Sequence, residues 1–380
     1  MPQLYDTIII GAGIAGASLA YTLAKQRQKV LVLDKKGIAS GGSGAAGAFV
    51  SPKIGKGSTL QMLTNEAFMY AKDFYLHTCP EYFHQTGVIR IPKDSEDAKK
   101  FSEYEKFNNM VYEVYSKERL HALGIGIDFD SFYFPDAGHC DALKICESLL
   151  RGIEVHRSNV EKLSFRDRLW ICIPTQESRD KTFLSYMAQN VVLATGYEST
   201  LVDIRYMGIH GTWGTRGDFS SKLDLRVSMH QAMSVGSNVD GIIKLGATHE
   251  KEVKSPSPCS EEIAEGLKEK ASSLIETSDL ELKQVFCGMR AGSKDFFPLA
   301  GKVIDVPLML EHYPKILRGA KPELIYRDNL YVLNGLGGRG FVFAPLMARR
   351  LAEHIVEEKS LDTRINPDRL FLKWCRRLQN

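Results

Sequence analysis

Gly11, Gly13 and Gly16, set in the run Gly-Ala-Gly-Ile-Ala-Gly, have the spacing that brings a backbone turn against a pyrophosphate. The first glycine permits the tight turn, the second lets phosphate approach the chain, and the third allows a helix to pack closely on a strand. Asp34 follows 18 residues after Gly16, near the distance at which an acid accepts the hydroxyls of a ribose. Glycine spacing alone also occurs in ordinary turns, so the flanking elements decide. Residues 5–10 read as a fully buried strand, 17–26 as a helix with its N-terminus toward the phosphates, and 29–33 as a second strand ending at Asp34. Together these make a dinucleotide site. A further apolar strand, 190–193, runs into Ala194-Thr195-Gly196 and closes a second strand against the same nucleotide.

A length of 380 residues suits two domains, or one that other segments interrupt. The composition, 44% hydrophobic and 25% charged, is that of a compact globular protein. Seven cysteines (79, 140, 146, 172, 259, 287 and 375) are odd in number and never spaced as CxxC, which suggests neither a disulfide framework nor a zinc site and points to a reducing, cytoplasmic setting. No basic leader precedes the first strand, and no apolar run approaches the roughly 18 residues of a membrane span, so neither secretion nor membrane insertion is expected. The ten histidines show no metal-ligand spacing, and His210, His230 and His249 read as structural or pocket-lining. Net charge is only +3, and the pI near 8.3 lies below the value of about 9 that marks a nucleic-acid-binding domain, so an RNA partner must meet a local basic patch. One candidate is the tail 367–380, with Leu370, Phe371, Trp374 and Leu378 on one side and Arg369, Lys373, Arg376 and Arg377 on the other. The helix 60–77 places Leu60, Leu63, Ala67, Ala71 and Phe74 on one face, ordinary core spacing with no function attached.

These segments resemble the D-amino-acid-oxidase-like family of FAD oxidoreductases, in which an Ala-Thr-Gly of this kind follows a small β-meander, and the resemblance spreads over nearly the whole chain. It implies an α/β fold in which a Rossmann-type FAD-binding domain (1–80, 138–206 and 328–380) is interleaved with an antiparallel-sheet substrate domain (81–137 and 207–327). Residues 136–141, a helix over 142–151 and a strand over 155–160 look like the return into the FAD domain, and 240–249 like a strand pair of the substrate domain. The resemblance places FAD, held non-covalently, against Gly11, Gly13, Gly16, Asp34 and Lys35. It adds Ser40, Ser43, Ala46 and Gly47, whose small neighbours let backbone pass the isoalloxazine ring, and Val160, which meets the adenine through its backbone. Ala194, Thr195 and Gly196 complete the nucleotide end. Gly335, Gly337, Gly338, Arg339 and Gly340 open a helix over 342–358, whose free N–H groups stabilise a reduced ring. Catalysis is implied at Gly338, Arg339, Gly340 and Arg290, the last reaching a substrate carboxylate through a planar fork of donors. The other use of Arg290 is an internal pair with an acid such as Asp295. Cys287 is the one candidate for a covalent flavin link.

Within the family, Ala39 to Pro52, Arg290 to Gly301 and Gly335 to Pro345 most resemble the oxidoreductase half of bifunctional enzymes that finish 5-methylaminomethyl-2-thiouridine at the tRNA wobble position. The substrate implied is 5-carboxymethylaminomethyl-(2-thio)uridine in the anticodon loop of tRNA, cleaved to the aminomethyl base and glyoxylate with dioxygen as electron acceptor. An unstacked loop base suits such a site. The motif of the FAD half starts at Tyr5, so methylation is expected from a separate methyltransferase or not at all. Two other readings share the motifs: an oxidase or dehydrogenase of free glycine, sarcosine or a D-amino acid, and a flavoprotein that binds RNA or a partner with little turnover.

Overall fold

The computed structural model describes residues 3–178, 185–198, 201–251, 253 and 259–378. The apolar strand Leu4–Ile10 lies parallel between Val30–Asp34 and Tyr186–Leu193, and Ile8 and Ile9 are both fully buried, as a central parallel strand requires. These strands belong to an eight-stranded sheet. The other edge of Tyr186–Leu193 is shared: its first half pairs antiparallel with Leu169–Pro174, its last residues parallel with Tyr326–Asn334. That switch brings Gly11, Ala194 and Gly335 to the same carboxyl ends of parallel strands, where ligand loops gather in open α/β sheets.

Helices Ile14–Lys25, Thr59–Thr78 and Gly340–Glu357 cover one face and fill it with Leu19, Leu23, Leu63, Phe68, Met347 and Leu351. Helix Ala142–Leu149 packs beside them, and all four lie within a few residues of the spans expected from periodicity. Residues 155–160 form two strands rather than one. Glu154–Arg157 runs parallel to Val30–Asp34, whereas Val160–Arg166 begins an antiparallel meander after Ser158 has donated its N–H to the Asp34 carbonyl.

A second, nine-stranded sheet is built around the long antiparallel pair His210–Ser220 and Glu281–Gly292. It is not wholly antiparallel: Val88–Arg90 and Ser228–His230 run parallel, because strands from such distant parts of the chain need no hairpin between them. The expected strand pair at 240–249 contributes a single strand, Ile242–Gly246, since Asp240 (φ +52°) and Gly241 (φ +79°) form the turn before it. On the outer face Ile89, Ile91, Phe219, Met229, Ile243 and Leu245 pack against helix Glu261–Ala271. The two-residue alternation of strands then turns Val88, Arg90, Ser228 and His230 to the inner face, toward the first sheet.

The cysteine expectation is corrected. Cys259 and Cys287 form a disulfide, two sulfurs 28 residues apart that chain spacing alone does not bring together. The other five cysteines are buried thiols. Among the described residues no helix is long and apolar enough to cross a membrane.

Candidate active site

Gly11 has φ +116°, and a Cβ there would stand 2.2 Å from the Ala194 carbonyl oxygen. Only glycine allows these two strand ends to touch. Helix Ile14–Lys25 has no cap of its own, and the Ser43 hydroxyl accepts the Ile14 N–H at 2.9 Å. The Asp34 carboxylate accepts from the N–H groups of Ala12 (2.8 Å), Lys36 (2.8 Å) and Gly37 (2.9 Å) and from the Ser40 hydroxyl (3.3 Å). Oδ2 takes only the Ala12 donor, which leaves it capacity for another. Asp34 therefore orders the glycine turn and the small-residue segment as well as being free to receive a ribose.

The remaining predicted cofactor residues divide. Lys35 is ion-paired with Glu198 at the exposed rim. Val160 begins the meander, in register with Pro174. Ala46 and Gly44 give their carbonyls to Arg216, which pairs with Asp218 at 2.8 Å and lies 4.0 Å over the Phe286 ring, tying the small-residue segment to the second sheet. A Cβ on Gly47 would meet the Phe49 ring at 3.4 Å. Asn334 bridges Gly196 and Gly335, donating to the carbonyl of the first and accepting the N–H of the second, both at 2.8 Å. Gly337 and Gly338 have nothing within 4 Å of a Cβ position, while one on Gly340 would come 3.3 Å from Ile14, so two helix starts converge with an open glycine face between their chains. Thr195 Oγ1 is closed to solvent and has no hydrogen-bond partner among the described residues, although such groups are ordinarily bonded. An orphaned hydroxyl, converging positive helix ends and open glycine faces fit FAD.

Arg290 lies opposite Thr212 on the long strand pair and donates Nη1 to the Thr248 carbonyl at 3.1 Å. Gly214 makes room for it, since a Cβ there would stand 2.2 Å from Nη2. Asp295 is not its partner. That carboxylate is gripped by Arg369 through two bonds of 2.8 and 2.9 Å. The loop brace considered for Arg290 is thus supplied by the C-terminal helix Asp368–Arg377, and Arg369 leaves the exposed basic face proposed for the tail. Leu370 and Phe371 are buried there, Leu378 is exposed, Arg376 and Arg377 are exposed, and residues 379–380 lie outside the described residues.

Arg290 has no carboxylate within ion-pair distance among the described residues, and burial alone holds its guanidinium below the usual value. Arg339 is similar: Nη1 donates to the Ser51 carbonyl at 3.0 Å, and burial lowers it. Burial, then Arg90, holds His230 well below the usual histidine value, and burial, then Arg290, lowers His249. His210 is exposed at the rim, its ring 6.3 Å from Phe296. Cys287, paired with Cys259, has no thiol to offer a flavin. Sequence reasoning missed Arg90, Lys53 and Arg216. The one signal for Arg90 was a charge inside the apolar run Gly-Val-Ile-Arg-Ile-Pro at 87–92.

A nucleotide cradle joined to a second sheet that offers guanidinium groups fits a flavin oxidoreductase. A family model described as FAD dependent oxidoreductase matches residues 6–354, and the chain belongs to that family. It is 27% identical over 94% of its length to the tRNA 5-methylaminomethyl-2-thiouridine biosynthesis bifunctional protein MnmC of Marinobacter nauticus, and 27% identical over 97% to that of Shewanella amazonensis. It covers 57% and 60% of those proteins, so the chain spans about three-fifths of the length of the curated relatives it matches. Among solved structures, glycine oxidase of Bacillus cereus superposes with a TM-score of 0.76 at 18% identity, covering 94% of this chain and 96% of that one. Iminodiacetate oxidase of Chelativorans superposes with a TM-score of 0.74 at 16% identity, with the same coverage.

Proposed function

We propose that this chain oxidises the secondary amine of 5-carboxymethylaminomethyl-(2-thio)uridine at the tRNA wobble position, giving the aminomethyl base and glyoxylate, with dioxygen as final acceptor. The observation that carries the chemistry is Arg290, a half-buried guanidinium with no acid partner among the described residues, on the face that meets the flavin cradle. The names of the relatives support the tRNA-borne substrate.

Arg290 holds the carboxylate through parallel N–H bonds and so fixes the adjacent methylene. Arg90, Arg339 and Lys53 make the same face strongly positive, which disfavours an ammonium and keeps the substrate amine neutral with its lone pair available. FAD, held by the cradle, would supply the acceptor for the hydride of that methylene. The amine loses its proton, the C–N bond becomes an imine, and water adds to it and splits it into glyoxylate and the primary amine. The N–H groups at the start of helix Gly340–Glu357, with Gly338 and Arg339 before it, favour negative charge on the reduced ring.

A second reading, oxidation of a free amino acid, is favoured by the fold likeness to glycine oxidase. Anaerobic mixing with tRNA carrying the carboxymethylaminomethyl group, and separately with glycine and sarcosine, separates the two. Bleaching of the flavin by the tRNA at micromolar concentration is the expected result. Bleaching by the free amino acids alone would replace the first reading with the second.

A further inference from the structure

Arg90 and His230 are register partners on the two parallel strands and face inward, opposite Ile89, Ile91 and Met229, which are buried in the outer core. Arg339 reaches toward the same space from the turn before helix Gly340–Glu357, and Lys53 from the segment that follows Ser51, the residue whose carbonyl Arg339 grips. The three cations repel one another: Lys53 is lowered by burial and then by Arg339 and Arg90, and Arg90 by burial and then by Arg339. His230, beside Arg90 and Arg339, also faces His249, which in turn faces Arg290, so the cluster is continuous with the proposed carboxylate site.

Among the described residues no ion pair neutralises it. Arg90 Nε is closed to solvent and bonded to nothing, and neither Arg90, Arg339 nor Lys53 has a carboxylate within ion-pair distance among the described residues. Asp97 is the acid whose charge favours the Arg90 guanidinium, but it forms no ion pair with it and accepts the Lys93 N–H at 3.1 Å instead. A buried cation lacking a partner is strongly unfavourable, and a group of them facing one another is characteristic of a site completed by an incoming anion.

We propose that Arg90, Arg339 and Lys53 form a second oxyanion subsite beside Arg290, so that the substrate presents two anionic groups, a carboxylate to Arg290 and a further phosphate or carboxylate to this subsite. The inference rests on Arg290 as the carboxylate site but not on tRNA as the substrate. A wobble nucleotide brings its backbone phosphate, and a free amine dicarboxylate brings a second carboxylate. Glycine and sarcosine bring neither.

The test titrates the holoenzyme with acetate, with diglycolate (two carboxylates joined by an ether) and with a synthetic anticodon stem-loop RNA, following the bound-flavin spectrum at fixed salt. Arg90→Gln should weaken at least one of the two multi-anionic probes by about tenfold while acetate stays within about twofold. Loss confined to the RNA assigns the subsite to a phosphate, and loss confined to diglycolate assigns it to a second carboxylate. RNA that leaves the flavin unperturbed, while the diglycolate loss persists, removes the tRNA reading and leaves the subsite standing. Equal weakening of all three probes, or of none, overturns it. Lys53→Gln in the same titration, and the preference of the wild type for diglycolate or RNA over acetate, keep the test decisive if Arg90→Gln does not fold.

Discussion

The cradle at the carboxyl ends of the first sheet and the inner face of the second sheet both serve negative charge, by different means. The cradle uses backbone donors and helix ends: its chief charged side chain, Asp34, is held by turn N–H groups with capacity left only at Oδ2, and Lys35 is paired with Glu198. The inner face uses whole cations, Arg290, Arg90, Arg339 and Lys53, which form no ion pair among the described residues. Truncating a side chain leaves backbone donors in place, so the cradle breaks through sterics or through proline, which removes an N–H. The inner face breaks through charge, and its cations weigh against stability until a ligand arrives.

Arg290→Leu tests that contrast most severely. Flavin reduction should fall on the order of a hundredfold or more through loss of positioning, with FAD retained and partial recovery in Arg290→Lys, whose ammonium lacks the planar fork. The melting temperature should hold or rise, since no internal ion pair is lost. A melting point that drops with the rate would make Arg290 a brace after all.

Gly11→Ala attacks the cradle by shape. At φ +116°, with the Ala194 oxygen 2.2 Å from the new Cβ, the strain is roughly 1–3 kcal/mol or more and should appear as a preparation that loses its yellow colour on gel filtration. In the wild type, acid should release all the FAD. Flavin that stays with the denatured chain would contradict non-covalent binding.

Two histidines, His230 on the inner face and His139 on the strand Gly138–Cys140, whose ring meets the Ser228 hydroxyl of that face at 3.1 Å, predict a pH dependence. His139 is pushed down to about 3, by burial first and then by Lys244, and His230 well below 6.5 by burial and then by Arg90. Below pH 6.5 the unfolded chain binds protons that the folded chain refuses, so stability falls as pH falls, by about 1 kcal/mol per histidine between pH 6.5 and 5.5. Urea unfolding of His139→Asn at the two pH values should show a shallower loss than wild type; an unchanged loss would mean that His139 does not contribute.

The smallest effect belongs to the tail. Replacing Arg376 and Arg377 by Gln should reduce the slope of log K against log salt for tRNA binding by up to about 2 and leave the flavin spectrum intact. An unchanged slope would leave them as a solvated surface.

What the sequence disclosed follows how local each signal is. The glycine turn, Asp34 and the strands beside them lie within about thirty residues, and alternation and spacing declare them without tertiary information. The helix at 340–357 was equally legible. The pairing of Arg369 with Asp295 crosses 74 residues, that of Val88–Arg90 with Ser228–His230 about 140, and no local pattern announces either. For this reason Arg290 could be suspected from its motif, but its freedom from Asp295 could not, and Arg90 passed as one charge in an apolar strand. The Cys259–Cys287 disulfide was hidden in the same way.

The neighbours of the strand Leu4–Ile10 also decide when the molecule can be finished. On one side it needs Tyr186–Leu193, and that strand needs Tyr326–Asn334 on its free edge. At about 5–20 residues per second, a ribosome takes tens of seconds to deliver the last of the three. Until Tyr186–Leu193 emerges the first strand stands as an open, apolar β-edge with its glycine turn unsupported, and after that the open edge passes to Tyr186–Leu193 itself. Such contacts, remote along the chain, also slow folding. Two strands within the first 34 residues can pair at once, but the cradle closes only when the far end of the chain has arrived.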